Sequence, residues 1–138
     1  IEFIEENDAE ILLIQQPPEL YFGDKNTPQY LSFKGIKPQG TKDVFIRTGN
    51  DEEYAKGDAA VRKLSTRYAH CHSVGIRNLF LNEFGQVKVI SGKQVLYIDD
   101  DHLSLDGASL AKERLMGAIA QSLMRRKQNI GWGNDSSN

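Results

Sequence analysis

The sequence predicts an α/β domain in which helices pack on a sheet of mostly parallel strands. A short continuous apolar run, Ile11–Ile14, is typical of a strand buried in a parallel sheet. Two longer segments, one from Asp51 and one from near Leu105, place apolar residues at helical spacing. β-like runs lie between them, so the predicted order is strand, helix, strands and a terminal helix.

The start of the chain predicts two elements. Residues 1–7 mix apolar residues with acids, which indicates the end of a helix already under way, and Asn7-Asp8 breaks it. The strand Ile11–Ile14 follows. This order is expected of a chain that begins inside a domain.

A long irregular segment comes next. Pro17-Pro18 ends any ladder pairing. Residues 19–50 are rich in Gly, Pro, Lys, Asn and Thr without a sustained period. Loops of this length are uncommon in compact domains unless they have short elements of their own. We expect such elements at residues 30–33 and 43–46.

The middle of the chain predicts a helix and then strands. The helix runs from Asp51 to near His70, with an apolar face formed by Tyr54, Val61, Leu64 and Tyr68. A short strand is expected at residues 73–76. Two β-like runs, "QVKVI" and "QVLYI", are separated by Ser91-Gly92-Lys93, which indicates a hairpin.

The last helix has the clearest periodicity. Its predicted face consists of Ala111, Leu115, Ala118, Ile119 and Ser122. Cationic residues 125–127 stand at its C-terminal end, where the helix dipole favours positive charge. We expect residues 128–138 to form a disordered tail.

Composition excludes several classes of protein. A chain of 138 residues is one domain by size and can bury a real core. The formal net charge of −2 gives no basic surface for nucleic acid. The apolar runs are far shorter than the ~20 residues that a membrane-spanning helix needs. The single cysteine, Cys71, cannot form an internal disulfide, so the cysteine count does not indicate a compartment.

The residues that suggest chemistry are the D-D-D-H at 99–102, where an apolar run gives way to the last helix. Ligands of parallel α/β domains collect at such junctions. A carboxylate on one ring nitrogen of a histidine fixes its tautomer and stabilises the imidazolium that forms in general-base catalysis. Asp99 and His102 have a D-x-x-H spacing, which lets one tight turn deliver both groups.

Two plainer interpretations of this motif remain open. The three acids are also good turn formers and helix-start anions, with His102 exposed beside them. A divalent cation is a weaker interpretation, because Ca²⁺ loops use spaced oxygen ligands and Mg²⁺ sites usually share substrate phosphates.

The wider string "LYIDDDHLSLDGASL" resembles the final motif block of the SGNH (GDSL-like) hydrolase superfamily. It is most similar to the version found in SGNH domains attached to bacterial membrane acyltransferases that O-acylate surface polysaccharides. "ILLIQQPPEL" resembles, more loosely, the family's strand and proline-containing loop. The resemblance implies a three-layer α/β/α sandwich with a mostly parallel, flavodoxin-like sheet. Residues 1–127 would be its C-terminal portion, with the N-terminal part missing.

The resemblance also implies roles for individual residues. His102 would be the general base and Asp99 the carboxylate that orients it, whereas Asp100 and Asp101 would be structural. Ser104 is expected to cap a helix that starts near Leu105. No metal or cofactor is implied.

The implied function is O-acyl transfer, or ester hydrolysis, on a bacterial envelope polysaccharide at the periplasmic or extracytoplasmic face. The implied partners are an acyl donor, a glycan acceptor and an N-terminal segment or membrane acyltransferase domain. The family's nucleophile is a serine in a G-D-S turn after the first strand, and this sequence contains no G-D-S. This polypeptide alone is therefore not expected to complete acyl transfer. The alternative is a non-catalytic glycan-binding or interaction domain.

Other candidate residues give weaker signals. His70-Cys71-His72 lacks a third metal ligand and is better explained as a helix end or exposed turn. The segment 133–136, Gly-Asn-Asp-Ser, has the wrong context for a nucleophile. The aromatic residues that could line a sugar site, and that more often serve in packing, are Tyr21, Tyr30, Tyr68 and Trp132.

Overall fold

The computed structural model describes residues 9–47 and 51–131 as a mixed α/β structure with three α-helices. The helix end expected before Asn7-Asp8 lies outside the described residues. The elements in chain order are β1 (Ile11–Ile14), α1 (Thr27–Phe33), β2 (Asp43–Ile46), α2 (Asp51–Arg67), β3 (Cys71–Val74), a 3-10 turn (Arg77–Leu79), β4 (Val87–Ser91), β5 (Gln94–Val95) and α3 (Leu105–Gly131).

Strands β1 and β3 form the parallel pair that the sequence predicts. They pair in register from Ile11 opposite Cys71 to Ile14 opposite Val74. The strand expected at residues 73–76 begins two residues earlier, because Cys71 is the first residue that can pair with β1 after the turn that ends α2. The chain leaves the sheet at Gly75, where an added Cβ would lie 2.7 Å from the Gln15 side chain.

A second, antiparallel sheet has the strand order β2-β4-β5. The predicted hairpin is confirmed, with Gly92 in the left-handed conformation at its turn. The second run ends at Val95 rather than at residue 98. After Leu96, whose N–H bonds to Val89, the chain turns back and Tyr97 bridges to Leu103.

The core lies between this sheet and the segments that cross it. Its buried members are Leu20, Leu31, Phe80, Val87, Val89, Ile90, Leu96 and Tyr97. The rings of Phe80 and Tyr97 meet edge to face with centroids 6.0 Å apart. Tyr97 therefore fixes the start of the 99–102 segment in the most buried part of the molecule.

Helix α3 begins at Leu105 as predicted, and the Ser104 hydroxyl accepts a hydrogen bond from the Gly107 N–H at 3.1 Å, which confirms the cap. Ala111 and Ser122 of the predicted face are buried, whereas Ile119 is 44% exposed. The helix continues to Gly131, four residues into the segment expected to be a tail. The remaining tail, 132–138, lies outside the described residues.

Glycine at position 107 is required by a close approach of α3 to the preceding strand. A Cβ at this position would lie 2.1 Å from the Leu96 carbonyl oxygen. We expect Gly107→Ala to lower the free energy of unfolding by about 1–3 kcal/mol, because the helix start must move away from a buried strand.

The matched control is Gly117→Ala in the same helix, where an added Cβ meets nothing within 4 Å. This variant should gain up to about 1 kcal/mol from helix propensity. Urea denaturation of both variants measures the difference. Equal effects of the two substitutions would contradict the close approach.

Candidate active site

The acidic motif forms a narrow loop that the backbone closes on itself. The Ile98 N–H bonds to the His102 carbonyl at 3.0 Å, and the Ser104 N–H bonds to the Leu96 carbonyl at 2.9 Å. These two hydrogen bonds leave residues 99–101 at the tip. The loop therefore has a defined shape before any ligand binds.

The Asp99 carboxylate organises the tip. Its Oδ1 accepts hydrogen bonds from the His102 N–H at 2.8 Å and the Asp101 N–H at 3.2 Å. The backbone N–H of His102, together with the other contacts with this histidine and Asp101, holds the pKa of Asp99 below its usual range despite the opposing effect of burial. Asp99 is thus an anion that its own loop stabilises.

The same carboxylate meets the His102 ring. Nδ1 lies 3.0 Å from each oxygen of Asp99, and the Oδ1 of Asp101 is 2.9 Å from the same nitrogen. The hydrogen bond to Asp99, with the negative charge of Asp101, raises the pKa of His102. Because both acids face Nδ1, we assign the proton of the neutral ring to Nδ1.

This assignment leaves the free lone pair of the ring on Nε2, and the His102 side chain is 69% exposed. The structure therefore brings the two predicted site residues, Asp99 and His102, into direct contact. It adds Asp101, which the sequence assigns a structural role, as a second carboxylate on the same nitrogen. The D-x-x-H spacing indicates the first contact, but nothing in the spacing indicates the second.

The three side chains could also hold a metal ion, since ligand atoms of Asp99, Asp101 and His102 lie within 4.8 Å of one another. Metal coordination by the ring nitrogen that faces the acids would displace the proton assigned to Nδ1. The same loop would then lose its imidazole–carboxylate hydrogen bond. The two uses of the loop are mutually exclusive.

Asp100 anchors the loop to the rest of the domain. Its carbonyl accepts the Leu20 N–H at 2.8 Å, and its carboxylate accepts the backbone N–H of Thr27, the first residue of α1. Burial, and then the charges of Asp99 and Asp101, raise the pKa of Asp100. The structural role expected of Asp100 is consistent with these contacts.

The Tyr97 hydroxyl provides a further anchor by donating a buried hydrogen bond to the Pro18 carbonyl at 3.0 Å. Burial raises the pKa of this phenol well above its ordinary value, so it stays protonated and donates. The segment that follows the carboxyl end of β1 is therefore joined to the loop at both Tyr97 and Asp100. The loop lies on the same edge of the molecule as that end of β1.

A second cluster of titratable groups lies at the other end of the parallel pair. The Glu10 oxygens lie 3.1 Å from His70 Nδ1 and 2.6 Å from His72 Nε2. His70 lies in the turn that follows α2, as expected, whereas the expectation is wrong for His72, which belongs to β3. The side chains of Glu10, His70 and His72 are all partly or largely buried. Sequence reasoning missed Glu10 because it lies sixty residues away.

The aromatic residues considered for a sugar site have different environments. Tyr30 stacks on Phe22 with centroids 3.9 Å apart, and Tyr68 lies against the Arg67 guanidinium. Tyr21 is 65% exposed and directly follows Leu20, which bonds to the acidic loop. Trp132 and the segment 133–136 lie outside the described residues.

Asp99→Asn should lower the pKa of His102 towards the value of about 6.5 for an unperturbed histidine, because the amide keeps the loop's acceptor oxygen but removes its charge. Asp101→Asn should lower it less. NMR titration of the His102 ring in the three proteins measures both effects. A larger shift from Asp101→Asn would contradict the assignment of Asp99 as the main partner.

The contact between Asp99 and His102 contributes most to the free energy of unfolding within a limited range of pH. A raised histidine pKa stabilises the fold below about pH 6.5, and this contribution is lost as pH rises through the folded value. A lowered aspartate pKa contributes above about pH 4 and is lost as pH falls through its folded value. The difference in unfolding free energy between the wild type and Asp99→Asn should therefore be greatest between about pH 4 and 6.5.

Glu10→Gln should lower the free energy of unfolding by about 1–3 kcal/mol at pH 7, because charge-assisted hydrogen bonds to two histidines are weakened. Burial raises the pKa of Glu10, but the hydrogen bonds and charges of His70 and His72 together hold it below its usual value. The difference should shrink as pH falls through that lowered pKa, when the acid becomes neutral. Denaturation at pH 7 and pH 3 measures it, and the exposed Glu113→Gln controls for the loss of one charge.

A family model described as the SGNH domain fused to AT3 domains matches residues 1–117. This match confirms the resemblance found in the "LYIDDDHLSLDGASL" block. Comparison with the curated proteins gives no match. Comparison with the solved structures gives none either. Within the described residues, no helix is both long enough and apolar enough to cross a bilayer.

Proposed function

The chain belongs to the SGNH domains that are fused to AT3 domains, and we propose that its acidic loop is the base-carrying half of an acyl-transfer site. Such a domain is related to hydrolases and acyltransferases. In the proposal, His102 is the general base and Asp99 is the carboxylate that orients it. The observation that carries the proposal is the contact of His102 Nδ1 with both oxygens of Asp99 at 3.0 Å.

This contact supports a base because it decides which nitrogen is reactive. With Nδ1 directed at two carboxylates, Nε2 holds the lone pair and lies on an exposed side chain. When Nε2 takes a proton, the imidazolium is stabilised by Asp99 and Asp101. The loop backbone holds both groups, so no rearrangement is needed to form the pair.

The proposed reaction proceeds in two balanced steps. A serine hydroxyl, supplied by polypeptide outside this sequence, attacks the carbonyl carbon of the acyl donor while Nε2 of His102 takes its proton. Collapse of the tetrahedral intermediate releases the donor alcohol, which receives that proton from His102. In the second step Nε2 takes a proton from a sugar hydroxyl or water, whose oxygen attacks the acyl group. The serine leaves and regains the proton.

We propose a bacterial envelope polysaccharide as acceptor and the periplasmic or extracytoplasmic side of the envelope as the location. Fusion of the family's SGNH domains to AT3 domains supports a division of labour in which an acyltransferase domain supplies the acyl group. Transfer of an acetyl group is the simplest version of this reaction. Hydrolysis differs only in the use of water as the acceptor.

A second candidate function, a non-catalytic glycan-binding domain, is favoured by one observation, which is that the sequence contains no G-D-S. The two candidates make opposite predictions for His102. A binding domain needs no general base, whereas an acyl-transfer site loses its proton acceptor with the imidazole.

His102→Ala, in the protein that carries this domain with its serine block, should reduce kcat for hydrolysis of p-nitrophenyl acetate by about 10²–10⁴-fold with little change in KM, because proton transfer acts only in the transition state. Asp99→Asn should also reduce kcat, by a factor that approaches that of His102→Ala. The kcat/KM of the wild type should rise with pH through the raised pKa of His102, since the base must be neutral in the free enzyme.

Asp101→Asn is the matched control, because it removes a charge from the same loop but leaves the Asp99 contact. It should cost much less activity than Asp99→Asn. If His102→Ala keeps the wild-type kcat, the catalytic proposal fails and the binding domain is favoured.

A further inference from the structure

A cleft of about 650 Å³ opens at the carboxyl ends of β1 and β3. It is bounded by Gln15 and Gly75, which follow these strands, and by one side each of α2 and α3. A volume of this size is typical of sites for small ligands. The carboxyl edge of parallel strands is also where ligands of α/β domains bind.

One buried acceptor in this cleft lacks a partner. Asp58 of α2 is 12% exposed, and its Oδ2 pairs with Arg62 at 2.7 Å. Its Oδ1 is buried and accepts no hydrogen bond from the described part of the chain. A buried carboxylate oxygen without a donor is costly. Because this oxygen is enclosed, the Asp58 side chain has to turn towards the cleft before a ligand hydroxyl can donate to the oxygen and remove that cost.

The opposite wall of the cleft provides positive charge. Arg114 of α3 donates through Nη1 to the Gly75 carbonyl at 2.7 Å and to the Asn78 side chain. Both acceptors are neutral, so within the described residues no acid balances this guanidinium. The cleft lining contains three arginines and one aspartate, although the whole chain carries a formal net charge of −2. The cleft is therefore a cationic region of an acidic domain.

The cleft and the acidic loop are connected by α3. The helix begins three residues after His102, and Arg114 lies nine residues beyond Leu105. At 1.5 Å per residue, this spacing is about 14 Å along the helix axis. A chain-like ligand could therefore contact both places, whereas one small acyl group could not.

We propose that this cleft binds a carboxylate-bearing sugar residue of the acceptor glycan, with Asp58 Oδ1 accepting a sugar hydroxyl and Arg114 pairing with the sugar carboxylate. A residue with both groups satisfies the buried acceptor and the guanidinium at once. The identification of the ligand as the acceptor depends on the proposed function. Binding itself does not.

The test is calorimetric titration of the protein with trigalacturonate. Two probes separate the chemistries: the fully methyl-esterified trimer keeps hydroxyls but lacks charge, and triglutamate has carboxylates without sugar hydroxyls. Each should bind at least about ten-fold more weakly than trigalacturonate, since each loses a set of charged or buried hydrogen bonds. Equal binding of triglutamate, or no binding of trigalacturonate, would overturn the proposal.

Arg114→Gln should weaken trigalacturonate binding by about ten-fold or more. Arg126→Gln is the control, because it removes the same charge from the same helix but lines a separate hollow beside Leu123. Equal losses from both variants would indicate long-range attraction and contradict a site in the cleft. If Arg114→Gln does not fold, NMR shifts in the wild type decide the matter: amides of Gly75, Asn78 and Gln121 should move, and those of residues 35–38 should not.

His102→Ala separates this inference from the proposed function. It should reduce ester hydrolysis by about 10²–10⁴-fold and keep trigalacturonate binding within about two-fold of the wild type, because the imidazole is remote from the cleft. If His102→Ala loses hydrolysis but the wild type does not bind trigalacturonate, only the proposal for the cleft is overturned. Binding with unchanged hydrolysis in His102→Ala supports the cleft as a sugar site and overturns only the catalytic role.

Discussion

The geometry of the candidate site depends on the contact between α3 and the backbone of Leu96. At Gly107 the helix comes so close to that carbonyl that no side chain fits. The Ser104 hydroxyl spans the same junction, since it donates to the Val95 carbonyl at 2.6 Å and accepts from the Gly107 N–H. Residues 97–103 must therefore depart from Leu96 and return to Ser104, at the start of α3, within a narrow space. This constraint makes the loop tight enough for Asp99 to reach both the backbone and the ring of His102.

Three consecutive aspartates have three different roles because their surroundings differ. Asp99 accepts two backbone N–H groups and has a lowered pKa, whereas Asp100 turns inwards and has a raised pKa. Asp101 stays at the tip near the ring of His102. The alternation of direction follows from the turn, which presents its first and third acids to the histidine and its second to α1. A run of identical residues thus gives the main partner of the histidine ring, an anchor and a second counter-charge.

Sequence alone was sufficient where a signal is local. The apolar run of β1, the periodicity of α3, the cap at Ser104 and the pairing of Asp99 with His102 all depend on residues close together in the chain. Sequence reasoning failed where partners are distant. Neither Glu10 beside His70 and His72 nor the antiparallel pairing of β2 with β4 leaves a local pattern, because both depend on how the sheets assemble. The same holds for the cleft between α2 and α3.

The exposure of His102 makes its pKa sensitive to the substrate of the proposed reaction. In the free domain the acids beside the ring raise its pKa, and the opposing effect of burial is smaller. Such a histidine keeps its proton to a higher pH than an unperturbed histidine does. A ligand that covers the ring removes water, which disfavours the imidazolium and lowers the pKa again. In the proposed function Asp99 then serves two purposes: it orients the ring before the substrate arrives, and it keeps the covered imidazole basic enough to accept a proton. The proposed general base therefore works best when its substrate forms part of its environment.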